Sequence, residues 1–169
     1  AFGISQSGRF IRDFIYQGFN ADAQGKRVFD GVFVNVAGSR KTMLNEPFAQ
    51  PGRYSRQHED HEYPGDEFPF SYANSKDVLS GKSGSILSRC EQSNTCPKVM
   101  HTDSSTEFWQ ARAYLVNTTT DAKSTLIMPN NVRLYAINGA PHFNKWAEDA
   151  KAIPSCAAPM NPISQAPVQ

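Results

Sequence analysis

The sequence predicts an α/β fold, in which a parallel sheet is flanked by helices, and three observations lead to this class. An amphipathic segment at residues 5–19 directly follows a glycine turn, as a helix follows the end of a strand. The run from Gly31 to Val36 is too continuously apolar for a strand with one wet face. A further run, Val132 to Ile137, ends in a glycine turn. Helices that alternate with such strands favour a parallel sheet.

The first helix is predicted from Ser5 to about Phe19. Its apolar stripe recurs at helical spacing: Phe10, Ile11, Phe14, Ile15, Gly18 and Phe19. The polar positions are expected to lie largely off that stripe: Arg9, Arg12, Asp13 and Gln17. A surface turn follows, and after it the buried strand from Gly31 to Val36.

Residues 41–76 predict a long ordered loop or a small cap. About 35 residues without periodicity are unusual inside a compact domain and are typical of lids, binding loops or linkers. Their aromatic side chains argue against disorder: Phe48, Tyr54, Tyr63, Phe68, Phe70 and Tyr72. The segment RQHEDHEYPGDE also carries His58 and His61 among carboxylates, a composition that could bind a divalent metal. Because no helix would preorganise these ligands, a solvated loop is favoured and no metal is expected.

The second half of the chain predicts four further elements. A short helix is expected near residues 85–89, and a strand from Lys98 to His101. The segment SSTEFWQARAYLVN predicts a helix with a serine or threonine cap ahead of Glu107. The strand from Val132 to Ile137 then leads into a loop that contains His142.

Composition limits the classes of partner. A chain of 169 residues is expected to form one domain, residues 1–169, and its formal net charge of +1 comes from scattered lysines and arginines. No segment approaches the roughly 20 apolar residues of a membrane helix. We therefore expect a small-molecule ligand, with neither a nucleic acid nor a membrane as partner. Cys90 and Cys96 flank a polar loop short enough for a disulfide; free thiols remain the alternative.

The stretch GISQS at residues 3–7 fits the pattern of a nucleophile elbow, a strained turn between a strand and a helix. With Ser5 as nucleophile, the residues two before and two after it, Gly3 and Ser7, are small. Ser7 fails as the nucleophile because Arg9 stands two residues beyond it. The backbone N–H of Gln6 would then face the developing oxyanion. The alternative is a glycine and serine turn that caps the helix.

Such an enzyme needs an acid and then a histidine beyond later strand ends. His142 alone among the four histidines follows both a predicted strand and a candidate acid. Two acids are available, Asp103 and Glu107, and Glu107 could instead be only a capping partner of Ser104 or Ser105. The residues themselves leave this choice open.

Several pieces, in order, carry a resemblance: GISQSGRF, YQGFN, VFDGV, VAG, FAQP, FPF, CPK, SSTEFW and NVRLYAINGAPH. Together they resemble the large α/β-hydrolase-domain family of mostly bacterial proteins with uncharacterised substrates. The resemblance implies Ser5, Glu107 and His142 as the motif serine, glutamate and histidine. It also implies the C-terminal portion of that fold, with the first strands and the last helix missing, so that the fragment alone is expected to be inactive. Pro141 departs from the family, which usually has glutamine or another residue there.

The resemblance further implies an exported protein, periplasmic or extracellular rather than cytoplasmic, which agrees with a Cys90–Cys96 bridge. The expected function is a serine hydrolase that cleaves carboxylic esters through an acyl-enzyme and uses no cofactor. Two other classes stay open. One is a hydrolase-fold protein that binds a ligand or partner without catalysis, and the other is a metal-dependent protein that uses the His58 loop.

Overall fold

The computed structural model describes residues 1–42 and 68–142. In chain order its elements are β1 Phe2–Ile4, α1 Gln6–Tyr16, β2 Gly31–Asn35, β3 Ser75–Lys76, β4 Ser83–Gly84, α2 Ser88–Gln92, β5 Lys98–Ser104, α3 Ser105–Gln110, a 3-10 helix Ala113–Val116 and β6 Val132–Ile137. The sheet is parallel, in the order β1-β2-β5-β6, and β3 and β4 form a separate antiparallel pair. The predicted α/β class with a parallel sheet is confirmed. Most of the 41–76 segment, including His58 and His61, lies outside the described residues.

The hydrophobic core lies on one face of the sheet. Register sets Val32 beside Val99 and Val99 beside Val132, and all three side chains are buried. Ile11 and Ile15 of α1 belong to the same core cluster. Because successive side chains of a strand alternate between faces, these positions share one side. The one run predicted to be a buried strand, Gly31 to Val36, contributes Val32 and Val34 to this face, and both are buried.

The opposite face of the same strands carries exposed apolar side chains among the described residues. Phe2 and Phe33 stack with ring centroids 5.1 Å apart on neighbouring strands. Phe2 is 56% exposed, Met100 44% and Tyr135 53%. The two faces of the sheet therefore differ sharply in burial.

Backbone conformation explains two element ends that differ from prediction. The first helix stops at Tyr16, not near Phe19, because Gly18 adopts a φ of +85°. The N–H of Phe19 then donates to the carbonyl of Phe14, a common closure of a helix C-terminus. β2 stops one residue early, at Asn35, because Val36 has a φ of +48°. Both ends are marked by a left-handed residue.

The remaining elements differ from prediction in length or continuity. β5 continues past His101 to Ser104, and α2 begins at Ser88, three residues later than predicted. The single helix predicted over SSTEFWQARAYLVN is wrong, since Arg112 has a φ of +50° and separates α3 from the 3-10 helix. The break leaves α3 with six residues, Ser105–Gln110.

Arg12 and Asp13 were predicted to lie off the buried side of α1, and this is wrong for both. Arg12 is fully buried and Asp13 is 4% exposed. The guanidinium of Arg12 donates to the carbonyls of Ser39, Arg40 and Phe70. These bonds give Nε and one terminal nitrogen of a buried cation carbonyl acceptors. They connect α1 to the segment that follows β2 and to Phe70.

Cys90 and Cys96 form a disulfide with a Cα–Cα distance of 4.7 Å. Cys90 is fully buried in α2 and belongs to the core cluster. The bridge therefore anchors the turn after α2 to the core. None of the helices in the described ranges has the length and apolar character to cross a membrane.

Candidate active site

Three strand ends meet at the carboxyl edge of the sheet, where parallel α/β folds bind their ligands. Ser5 follows β1, Glu107 lies in the first turn after β5, and His142 follows β6. The sheet order places β2 between β1 and β5. Because β2 and β5 lie between β1 and β6, the loop after β6 has to extend across these strand ends for His142 to reach Ser5.

Ser5 occupies the turn between β1 and α1 in a strained conformation. Its φ is 56° and its ψ is −117°, a combination that a residue with a side chain rarely adopts. Its backbone N–H donates to the carbonyl of Asn35, 2.8 Å away, at the end of β2. Strain of this kind costs about 1–3 kcal/mol and is typical of functional turns. The elbow predicted from GISQS is thus present as a local geometry.

Two glycines allow α1 to pass close to the sheet. A Cβ at Gly3 would lie 2.4 Å from the carbonyl oxygen of Ser7, and a Cβ at Gly8 would lie 3.1 Å from the carbonyl oxygen of Asn35. Ser7 was predicted to be the small residue at this approach, but its side chain is exposed and only its backbone is crowded. Sequence reasoning missed Gly8, although a glycine inside a helix is itself a signal of close packing.

His142 bridges the other two residues. Its Nε2 lies 2.8 Å from Ser5 Oγ, and its Nδ1 contacts Glu107 Oε1 within hydrogen-bond distance. The structure therefore brings Ser5, Glu107 and His142 together. His142 is 137 residues from Ser5 in the chain.

Glu107 is 2% exposed and has both carboxylate oxygens engaged. Oε1 contacts His142, and Oε2 accepts from the backbone N–H of Ser104 at 3.1 Å and from the Ser104 hydroxyl. Burial acts to raise the pKa of Glu107, but the hydrogen bonds from His142 and Ser104 outweigh it and hold the pKa below its usual range. The group is therefore a carboxylate at neutral pH.

The ionised carboxylate determines the state of the histidine. A carboxylate only accepts hydrogen bonds, so the hydrogen of a neutral His142 ring lies on Nδ1, facing Glu107. Nε2 is then an acceptor, and the hydroxyl of Ser5 donates to it. This polarity is what activates a hydroxyl for attack.

Glu107 also caps its own helix. Ser104 is the N-cap of α3, its Oγ accepts from the backbone N–H of Thr106, and Glu107 returns a bond to the Ser104 backbone. The sequence offered capping and contact with the histidine as alternatives for Glu107. The structure shows one carboxylate making both sets of contacts.

The loop that carries His142 has its own anchor on α3. The N–H of Gly139 donates to Ser105 Oγ at 2.7 Å, and Gly139 adopts a φ of +75°. Ser105 is the first residue of α3. The same helix turn thus contacts both the acid and the histidine loop.

Asp103, the other candidate acid, is directed to a different group. Its Oδ2 lies 2.9 Å from His101 Nε2, and its Oδ1 accepts from the N–H of Gly38 at 2.9 Å. Burial acts to raise the pKa of Asp103, but the His101 charge and hydrogen bonds outweigh it and lower the pKa. His101 is in turn 3.0 Å from the Tyr72 hydroxyl, whose pKa burial raises. Asp103 therefore belongs to a second, buried network beneath the site.

Gln6 stands where an oxyanion donor would be needed. It is the first residue of α1, so its N–H has no acceptor within the helix and lies at the positive end of the helix dipole. Among the described residues, no three histidine, cysteine, aspartate or glutamate side chains cluster as a metal site.

A cavity of about 410 Å³ lies beside these groups, between α3, the 3-10 helix and β6. Its walls are largely apolar and include Phe108, Trp109, Tyr114 and Leu134. Ser5 and His142 are not among its lining residues, whereas Asp103 and Ser104 are. The cavity therefore borders the N-terminus of α3 at Ser104 and Ser105, and Ser5 does not line it.

Comparison with known proteins gave one match. A family profile described as an alpha/beta hydrolase domain matches residues 1–169. Neither the search of curated proteins nor that of solved structures gave a match. The family match spans every described strand and helix, and the parallel sheet agrees with it. The chain belongs to the alpha/beta hydrolase domain family.

Proposed function

We propose that this protein is a serine hydrolase that cleaves small carboxylic esters. Ser5 would be the nucleophile, His142 the general base and acid, and Glu107 the group that orients His142. The single observation that carries the proposal is the continuous chain of contacts from Ser5 Oγ through His142 to Glu107. Membership of a hydrolase family supports it.

In the acylation step, Ser5 Oγ attacks the ester carbonyl carbon while His142 Nε2 takes the hydroxyl proton. The carbonyl π electrons move onto oxygen, and the Gln6 N–H stabilises the resulting oxyanion. The C=O bond re-forms and the alkoxide departs, taking the proton from His142 Nε2 to leave as an alcohol. The acyl group stays on Ser5.

Deacylation repeats these transfers with water. His142 Nε2 takes a proton from water, whose oxygen attacks the acyl carbon, and the second oxyanion collapses to release Ser5. Ser5 Oγ recovers the proton from His142, and the free acid leaves. Glu107 stays ionised throughout and stabilises the imidazolium of each step, in keeping with its lowered pKa.

The strained turn at Ser5 supports the same role. A positive φ at a serine costs stability, and β1 and α1 hold Ser5 Oγ at the edge where His142 arrives. A turn that served only to cap the helix would use its side chain as acceptor, and Ser5 makes no such bond to α1. The capping alternative therefore lacks its defining contact.

A fluorophosphonate probe tests the proposal on the protein expressed from its complete natural coding sequence. The probe should label Ser5, and Ser5→Ala should abolish both labelling and the hydrolysis of short-chain p-nitrophenyl esters. Ser7→Ala is the matched control, because Ser7 is exposed and lies two residues from Ser5.

Two outcomes contradict the proposal. A folded wild-type protein that is neither labelled nor active on esters would favour a binding protein built on a hydrolase fold. Ester hydrolysis that survives Ser5→Ala, with the labelled peptide mapping elsewhere, would assign the chemistry to another residue.

A further inference from the structure

We infer that Ser104 is a positioning residue whose hydroxyl fixes the Glu107 carboxylate for His142, in addition to capping α3. This inference rests on the proposed function, since it assigns a role within the same site. The Ser104 side chain would then have two roles, capping of α3 and orientation of the Glu107 carboxylate.

The first step of the argument is how the two carboxylate oxygens of Glu107 are divided. Oε2 takes both the N–H and the O–H of Ser104, and Oε1 takes His142. A carboxylate held at one oxygen by two donors cannot rotate about its last bond without breaking both. Oε1 is therefore kept aimed at His142 Nδ1.

The second step is the direction of the Ser104 hydroxyl. Its oxygen already accepts from the backbone N–H of Thr106 at 3.2 Å, which is the N-cap bond of α3. Acceptance on that side leaves the hydroxyl hydrogen to point at Glu107 Oε2. The cap thus determines the polarity of the bond that holds the acid.

The third step is the burial of both groups. Ser104 is 3% exposed and Glu107 is 2% exposed. Loss of the hydroxyl leaves Oε2 with the Ser104 backbone N–H as its one remaining donor among the described contacts. Hydrogen bonds to charged groups are about twice as strong as neutral ones.

The fourth step links Ser104 to the histidine. Ser104 is the last residue of β5 and pairs in register with Ile137, the last residue of β6. The chain reaches His142 five residues after Ile137. The sheet therefore sets the position of Ser104 relative to the loop that carries the histidine.

The test separates the two jobs by using glycine and alanine at the same position. Glycine is a good N-cap residue and costs little helix stability at this position, whereas alanine loses the cap. Neither has a hydroxyl to hold Glu107. If Ser104 only capped the helix, Ser104→Gly would keep wild-type kcat and Ser104→Ala would not.

We expect both variants, in the protein made from its complete coding sequence, to lower kcat by about ten- to a hundred-fold with KM nearly unchanged. Thr106→Ala, which removes a hydroxyl with no hydrogen bond among the described residues, should retain wild-type kcat. Thermal melts identify any variant that fails to fold. Wild-type kcat in a folded Ser104→Gly overturns the inference.

A second readout does not depend on activity. The ¹³C titration of the Glu107 carboxyl should move to higher pH in both Ser104 variants, because a donor to its charged form is lost, and should not move in Thr106→Ala. An unmoved titration in the folded variants also overturns the inference. If ester hydrolysis survives Ser5→Ala, the proposed function fails by itself, and this titration still decides whether Ser104 holds the carboxylate.

Discussion

Replacing Ser5 by glycine should stabilise the fold relative to replacing it by alanine, although both changes remove the proposed nucleophile. Both delete Oγ and its contact with His142, so their difference isolates the backbone. At φ 56° and ψ −117° alanine keeps the strain of the turn, whereas glycine adopts this conformation without a Cβ clash. The comparison therefore measures the strain directly.

The expected magnitude follows from two opposing terms. Relief of the strained φ gains about 1–3 kcal/mol, and the larger conformational entropy of unfolded glycine costs about 0.5–1 kcal/mol. The net free energy of unfolding of Ser5→Gly should exceed that of Ser5→Ala by about 1 kcal/mol. For a domain of this size, that corresponds to a rise of about 2–4 °C in Tm.

Urea titration with matched m-values, supported by thermal melts, is the assay. The same pair of substitutions at Ser7 serves as control, since Ser7 lies inside α1, where glycine is worse than alanine by about 0.5–1 kcal/mol. The sign of the difference should therefore reverse between the two positions. A Ser5→Ala variant as stable as Ser5→Gly would refute the argument that the turn is strained.

Three more outcomes follow from the described contacts. Glu107→Gln should lower kcat by about 10⁴-fold. Asp103→Asn should lower the free energy of unfolding by about 3–5 kcal/mol, and the folded protein should keep most of its kcat. A larger loss of kcat in Asp103→Asn than in Glu107→Gln would make Asp103 the acid. Because its pKa is lowered by folding, Glu107 contributes stability that is complete above its unfolded pKa and lost as pH falls through the folded value. Between about pH 6 and about pH 3, urea titrations should thus show a larger loss of unfolding free energy in wild type than in Glu107→Gln. Equal losses would contradict the lowered pKa of Glu107. Removing the Cys90–Cys96 disulfide by replacing both cysteines with serine should lower the free energy of unfolding by roughly 2 kcal/mol, because the disulfide closes a short loop. An unchanged urea midpoint would contradict a stabilising role for the disulfide.

Local pattern was sufficient to locate the strands β2, β5 and β6, although not all of their ends, and to give the order of the site residues. The run from Gly31 and the run Val132–Ile137 are rich in apolar and β-branched residues, which favours strands. The elbow at Ser5 is a short-range steric pattern that five residues carry. Such features were predictable because their cause lies within a few residues of their effect.

Long-range contacts were not predictable in this way. Arg12 is buried because carbonyl oxygens of Ser39, Arg40 and Phe70 surround it, and no helical periodicity records where those oxygens lie. The break of the helix at Arg112 has the same character, since neither a glycine nor a proline marks it.

The sequence could have distinguished Glu107 from Asp103 as the acid if the predicted strand had ended at Ser104, where β5 ends, and not at His101. Alternation along a strand puts His101 and Asp103 on one face, which makes them partners of each other. Glu107, three residues past the cap, lies on the turn that faces the strand ends. The error in strand length therefore hid the assignment.

The separation of Ser5 and His142 along the chain has a consequence for biosynthesis. The two residues are 137 positions apart, and Ser5 is made first. At translation rates of 5–20 residues per second, His142 is added roughly 7–27 s after Ser5. During that interval the nascent chain carries Ser5 without His142. Under the proposed mechanism, the Ser5 hydroxyl is therefore activated only after the loop that follows β6 has been made and has folded onto the sheet edge.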